Sequence, residues 1–361
     1  MSKITARLVG WGKYLPERVL DNEGILTSCG EIDAATGQRV FNFYGYHREI
    51  LKRKVVTDEE IVKTTGIRAR RRVADDEWSD DMALKAAASA LARANLPEDT
   101  VWRGIFVHTV HRKIHYPSIA QRIQHAYHLN LENGYAEDCS SACGGYVQQV
   151  QKVHDLMQVR PGAYLAVGAD TTSRITPPDD INHDLFGDAA GATVWIPGEE
   201  GQAGSMAATA AIDMTRGTNG DVDPIDFIRE HHPARHMLMP YGPLVVKWVR
   251  KHVYRVIEQL LTEAGWTEGP PLLLILHQAN INAIKFFPEL VAKIYRGEIL
   301  TYTGITNIGN ASSGSTAYGF STCLDEEDDG TGDTIRIRPD YRVLLVGFGS
   351  GMNIHGVAIQ F

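Results

Sequence analysis

Four segments of this 361-residue sequence carry side chains able to make and break covalent bonds. The first is Asp138-Cys139-Ser140-Ser141-Ala142-Cys143-Gly144-Gly145-Tyr146, followed by the helical pattern VQQVQKVHDLM. A cysteine on a small-residue turn that opens a helix faces the positive end of the helix dipole and backbone N–H groups with no intrahelical partner. Both favour the thiolate, and small neighbours leave room for an acyl chain. Cys143 sits nearer the helix start than Cys139 and is the preferred nucleophile. The competing reading is a tightly packed turn whose cysteines are small buried hydrophobes.

The second segment, His277-Gln278-Ala279-Asn280, follows the apolar run LLLIL. An imidazole at the carboxyl end of a buried strand can reach a shared cleft in an open α/β sheet, although a structural histidine is the alternative. In the third, Ile308-Gly309-Asn310-Ala311-Ser312-Ser313-Gly314-Ser315, the Asn310 amide can be presented to a developing oxyanion; the bland reading is a turn. The fourth, Gly347-Phe348-Gly349-Ser350-Gly351, lets backbone N–H groups approach a ligand closely and lacks the Gly-Lys-Ser/Thr ending of a phosphate loop.

These segments must be positioned by layers of strand and helix. Short apolar runs alternate with amphipathic helices, the pattern of an α/β fold. Predicted strands include ARLVGWGKYLP, RGIFVHTV, GAYLAVGAD, AAGATVWIP, PLLLILHQAN, RVLLVGFGSG and MNIHGVAIQF. Predicted helices begin after Thr57, at Ser79 as cap through about Asn95, after Pro117, and from Gly242 to Ala264. A strand, a polar loop at its carboxyl end and a helix occur in both parts of the chain, so an internal duplication is expected, with halves 1–198 and 199–361. Residues from about Leu26 to Val55 carry no clean period and read as an insertion too short for its own core.

Composition narrows the function classes. With 43% hydrophobic residues, 34 glycines and a formal net charge of -8 from interspersed charges, nothing points to disorder, nucleic acid or an anionic membrane. No run of about 18 apolar residues and no signal-peptide pattern occurs, so a cytoplasmic protein without a membrane association is expected. Cys29, Cys139, Cys143 and Cys323 form no disulfide framework. His108, His111 and His115 have no accompanying cysteine or carboxylate at metal-ligand spacing, so no metal is expected. Lys247, Arg250, Lys251 and Arg255 form a basic stripe on a helix that otherwise buries Val249, Val253, Val256 and Leu260; docking of an acidic carrier protein competes with a plain solvated face.

In order and spacing, the chemical segments resemble the β-ketoacyl-acyl-carrier-protein synthase III branch of the thiolase superfamily. The resemblance runs through GWGKYLPE, TTGIRAR at 64–70, YPSIAQRIQ at 116–124, DCSSACGGY, LFGDAAGA at 185–192, HQAN, GNASSGS and GFGSGMN. It implies a thiolase-like fold of duplicated βαβαβαββ halves in five α-β-α-β-α layers. It also implies that Cys143 accepts an acyl group from a thioester. His277 and Asn310 would bind the carbonyl of a malonyl thioester, and the enolate left by carbon dioxide loss would attack the acyl-cysteine. Backbone N–H groups of Cys143 and Ser350 would form a second oxyanion hole. No cofactor is implied beyond the substrates, which are acyl-coenzyme A or acyl-carrier-protein and a malonyl thioester. A homodimer is implied, with Tyr116 closing the partner's acyl pocket. A degradative thiolase would need a second cysteine in the last glycine-rich loop, and none is there. Asp138 and Asp188 fall in family motifs as structural turn residues.

The sequence departs from the family pattern at Glu60 and Thr64, where an aromatic and a basic residue grip the coenzyme A nucleotide. It departs again at Asn282, where a basic residue is common, and at Ser350, which replaces a glycine. These departures point away from acetyl-coenzyme A priming and toward specialised fatty-acid or polyketide metabolism. Transfer to a non-malonyl acceptor, condensation with cyclisation, and a catalytically silent partner subunit are the rival expectations.

Overall fold

Residues in the central strands alternate between two apolar environments, and that alternation defines the layers. The computed structural model describes residues 4–45, 49–213, 229–231, 236–239, 242–325 and 335–361. The first half of the chain runs β1 (Ile4–Tyr14), β2 (Arg18–Asp21), α1 (Asn22–Ser28), β3 (Glu31–Ile32), β4 (Arg39–Tyr44), β5 (Ile50–Lys54), α2 (Asp58–Thr65) and β6 (Ala69–Arg72). It continues through α3 (Ser79–Ala94), β7 (Val101–His108), α4 (Ile119–Ala126), β8 (Asn130–Cys139), α5 (Gly145–Met157), β9 (Ala163–Thr171) and β10 (Asp188–Glu199). The second half holds β11 (Ser205–Asp213), β12 (Arg229–His231), β13 (His236–Leu238), α6 (Gly242–Glu263), β14 (Leu272–Leu276) and α7 (Ile281–Val291). It closes with β15 (Ile299–Thr301), α8 (Ile305–Ile308), α9 (Ser312–Leu324), β16 (Arg342–Gly349) and β17 (Asn353–Gln360).

Ten strands are hydrogen-bonded in the order β15-β14-β16-β17-β11-β1-β10-β9-β7-β8. From β1 outward the pairings run antiparallel, antiparallel, parallel, parallel, and from β11 outward they repeat that sequence. The two half-sheets meet at the Arg7–Ser205 pair. Leu273 and Ile275 of β14 pack into the same core as Tyr146 and Val150 of α5, Phe320 of α9, and Phe106 and Ala166 of the other half-sheet. Leu272, Leu274 and Leu276 face the opposite way, against Val253, Ile257 and Phe287 of α6 and α7. Leu165 and Val167 of β9 likewise turn toward Ala83, Ala87 and Ile123 of α3 and α4. Helix, sheet, helix, sheet, helix is the resulting order. Each fully buried aliphatic side chain in these layers contributes about 1.5–3 kcal/mol of transfer free energy.

One expectation needs adjustment and two gain detail. Ser79 is the first residue of α3 rather than its cap. The preceding Trp78 takes that position, with its backbone N–H donating to the Asp81 carboxylate at 2.9 Å. Helix α4 begins at Ile119 and is capped by Ser118, whose Oγ accepts from Gln121 N at 3.1 Å. The insertion is an ordered three-stranded antiparallel sheet, β3-β4-β5. Its Cys29 and Phe41 are buried with Ile25 of the main body, and Leu20 and Ile181 pack against them, so it borrows a core instead of making one.

Candidate active site

The chain enters the Cys143 turn from β8, a strand that pairs parallel to β7 up to His108–Cys139. Ala142 then adopts φ 47°, a left-handed conformation costly for a residue with a Cβ, by roughly 1–2 kcal/mol. The short 3-10 turn Ala142–Gly144 leads directly into α5. A buried network holds this strained turn. The Ser141 N–H donates to His108 Nε2 at 3.0 Å, which leaves the proton on Nδ1, 2.6 Å from Ser313 Oγ. The Ser313 hydroxyl donates to Asp170 Oδ2 at 2.8 Å. Asp170 also accepts from Val110 N at 2.8 Å and Ser313 N at 2.9 Å. Burial alone would raise the Asp170 carboxyl, but His108, the Ser313 hydroxyl and the Val110 N–H hold it below the ordinary carboxylate range. One carboxylate thus ties the Cys143 turn to the start of α9, which follows Asn310.

His277 leaves β14 with its N–H donating to Val346 O at 2.8 Å, and its ring meets Phe348 edge-on with centroids 5.0 Å apart. The ring is buried, and its Nδ1 has no hydrogen-bond partner. Burial pushes the imidazole down to about 3, with Asp170 and the Ser312 backbone opposing, so it is neutral at physiological pH. Asn310 Oδ1 accepts from Ser312 N at 2.9 Å, which commits the oxygen to the protein and leaves the NH2 group to donate. The Asn310 backbone is held on both sides, by Leu185 O at 2.9 Å and Gly187 N at 3.0 Å.

Cys143, His277 and Asn310 line one cavity of about 420 Å³. Its remaining wall is largely apolar and includes Ile61, Leu185, Phe186, Val249, Phe348 and Met352. At Cys143, burial opposes the helix start. Burial pushes the thiol up to about 12, and Ser312 and the Cys143 backbone N–H offset this only in part. Cys139 is also pushed up to about 12 and receives a hydrogen bond from Gln149 Nε2 at 2.8 Å.

The other anticipated residues are placed unevenly. Gly349 lines the cavity, and a Cβ there would fall 2.5 Å from Cys143 N; Ser350 is not among the lining residues. Tyr116 is 87% exposed and stands outside the cavity. Lys247, Arg250, Lys251 and Arg255 are exposed along α6, and Arg250 alone of the four also lines the cavity, stacked 4.5 Å over the Phe286 ring. Asp138 accepts from Arg112 Nη1 at 2.7 Å and from the N–H groups of Ile119 and Ala120 at the start of α4. Asp188 accepts from Val73 N and from Ser173. Both are structural. Among the described residues, no cluster of three His, Cys, Asp or Glu could hold a metal ion, and no helix is long and apolar enough to cross a membrane.

Two features escaped the sequence reading. Phe43, Lys54 and Val56, in or beside the insertion, line the cavity, and Lys54 Nζ reaches Glu60 Oε1 at 2.7 Å. Asp184 lines it too. An irregular segment gives no period to read, and a carboxyl just before LFGD gives no motif.

A family model described as 3-oxoacyl-[acyl-carrier-protein (ACP)] synthase III matches residues 137–213, which include the Cys143 turn. The chain is 28% identical to acetoacetyl CoA synthase NphT7 of Streptomyces sp. (strain CL190), over 98% of this chain and 97% of that protein. It is 29% identical to β-ketoacyl-[acyl-carrier-protein] synthase III of Listeria innocua, over 99% of both chains. Among solved structures, 3-oxoacyl-(acyl carrier protein) synthase III, FabH, of Pseudomonas aeruginosa PAO1 superimposes with a TM-score of 0.77 at 25% identity, covering 99% of this chain and 98% of that one. The priming β-ketosynthase of the R1128 polyketide pathway shares the fold, with a TM-score of 0.76 at 22% identity, covering 99% and 96%. In sequence and fold, the chain is similar to the β-ketoacyl synthase III condensing enzymes of the thiolase fold.

Proposed function

We propose that the Cys143 thiol takes an acyl group from a coenzyme A or carrier-protein thioester, and that the acyl-enzyme condenses with a malonyl thioester. The observation that carries this reading is the convergence of Cys143, His277 and Asn310 on one mainly apolar cavity. In the first step the Cys143 sulfur bonds to the thioester carbonyl carbon, its proton passes to the departing thiolate, and the carrier leaves as free thiol. In the second, malonyl decarboxylation leaves an enolate, whose oxygen takes hydrogen bonds from the Asn310 amide and the neutral His277 ring. The enolate carbon attacks the acyl carbon, and the Cys143 thiolate leaves. A neutral imidazole suits this step: it donates one hydrogen bond but is a far weaker acid than imidazolium, so the carbanion is not quenched. The apolar wall keeps water from the carbanion.

The reading extends to a homodimer in which Tyr116 closes the partner's acyl pocket, to carrier docking along Lys247, Arg250, Lys251 and Arg255, and to a cytoplasmic setting. Glu60, engaged by Lys54, and Thr64 occupy the positions of an aromatic and a basic nucleotide grip, which supports an acyl donor other than acetyl-coenzyme A. Asn310→Asp places a carboxylate where the enolate oxygen forms. Carbon dioxide release from radiolabelled malonyl thioester is expected to fall about 100-fold or more, while Cys143 acylation changes little. Equal loss of both steps would contradict the assignment of Asn310 to the second, and acyl transfer without carbon dioxide release would favour a non-malonyl acceptor.

A further inference from the structure

Asp184 closes the 3-10 turn Ile181–Asp184, is 8% exposed, and lines the cavity that holds Cys143. Its backbone carbonyl is well served, accepting from Arg70 Nε at 3.1 Å and Nη2 at 2.6 Å. Among the described residues its carboxyl takes part in no hydrogen bond and no ion pair. The charged groups around it are Arg70 and Arg72 of β6 and Asp180 of its own turn. Both arginines direct hydrogens at neutral oxygens: Arg70 at Leu20 O, Asn22 Oδ1 and Asp184 O, Arg72 at His183 O. The adjacent His183 ring, pushed down to about 3 by burial and by Arg72, is no cation for it at neutral pH.

A buried carboxyl without a partner is costly, and native proteins rarely keep one that nothing will satisfy. Burial pushes this group up to about 7 against the pull of Arg70, so near neutrality it exists both as a donor and as an acceptor. It stands in a wall that is otherwise mainly aliphatic and aromatic.

We propose that Asp184 is a specificity-determining residue, whose carboxyl hydrogen-bonds a hydroxyl or amide N–H group that the thioester substrate carries into the cavity. The inference rests on the thioester reading above and adds to it the polarity of the substrate. Two parts of such a substrate offer that chemistry: a hydroxyl on the acyl chain, or the second amide and the hydroxyl of the pantetheine arm, which lie beyond the amide that N-acetylcysteamine retains.

Binding of unreactive thioethers separates these sources and does not depend on acylation. The probes are S-alkyl and matched S-(hydroxyalkyl) coenzyme A, together with the same groups on N-acetylcysteamine, whose arm is cut short. They are titrated calorimetrically into the wild type, Asp184→Asn and Asp184→Leu. Asp184→Asn keeps the shape of the side chain, and thermal melting reports whether either variant folds. If the partner is on the acyl chain, Asp184→Leu weakens the hydroxylated probe about tenfold relative to its plain match, on both carriers. If it is on the arm, the loss is about tenfold for both coenzyme A probes and absent for both N-acetylcysteamine probes. Affinities in a folded Asp184→Leu that equal the wild type's for all four probes, or that fall equally for all four, would overturn the inference. Tight thioether binding without any acylation of Cys143 would instead count against the catalytic reading and leave the Asp184 comparison intact.

Discussion

At Cys143, helix position and burial act in opposite directions on the same thiol. The start of α5 and the backbone N–H groups favour a thiolate, yet a cavity lined by Phe186, Phe348 and Met352 denies the charge its solvation and pushes the thiol up to about 12. The resting site is therefore a protonated thiol beside a neutral imidazole. Inactivation by iodoacetamide should rise about tenfold per pH unit from roughly pH 6 to 10 without levelling off, because the thiolate is the reacting form. A plateau near neutrality would mean that the helix end outweighs burial. The three chemical residues were legible in the sequence because their types and neighbours are characteristic: Cys143 among small residues, His277 after LLLIL, Asn310 between Gly309 and Ala311. Asp184 and the support network were not. His108 was legible only as one of three scattered histidines, since its link to Ser313 and Asp170 joins residues remote in the chain.

At the level of elements, the insertion is the part whose role depends most on tertiary contacts. Strands β4 and β5 pair from Phe41–Lys54 to Tyr44–Ile50 and place Phe43 and Lys54 on the cavity. The sheet is fastened by Asp179, whose Oδ2 accepts from Asn42 Nδ2 at 2.8 Å and from the Tyr44 hydroxyl, and whose backbone O accepts from Asn42 N at 2.7 Å. Asp179→Ala removes the carboxylate that accepts from both side chains and leaves Asn42 Nδ2 only the longer 3.3 Å bond to the Tyr44 hydroxyl, at about 1–3 kcal/mol. Amide hydrogen exchange in residues 39–44 and 50–54 should accelerate while β9 and β14 keep their protection. Unchanged protection in the insertion would show that the backbone contacts suffice. Amphipathic helices and apolar strands were readable from their periods. Strand β8, with its polar residues at the sheet edge, was not, nor was α9, which is buried on all sides from Ser312 to Cys323 and so shows no polar face.

Across the whole molecule, the two half-sheets carry the same pairing pattern on either side of β1 and β11, and we read them as an ancient duplication with its boundary near residues 198–199. The first half brings Cys143, the second His277 and Asn310, and Asp170 binds the Cys143 turn to the start of α9 across the joint. Layering was foreseeable from the alternating runs, whereas the meeting of Cys143 with His277 and Asn310 in one cavity was foreseeable only from the family resemblance, because no local pattern encodes contacts between residues far apart in the chain. We propose that this joint holds an acyl-accepting cysteine. Intact-mass spectrometry after incubation with a panel of acyl thioesters tests it directly. At least one thioester should add a single acyl mass to the wild type and none to Cys143→Ala. Acylation absent from the wild type across the panel, or retained in Cys143→Ala, would contradict it.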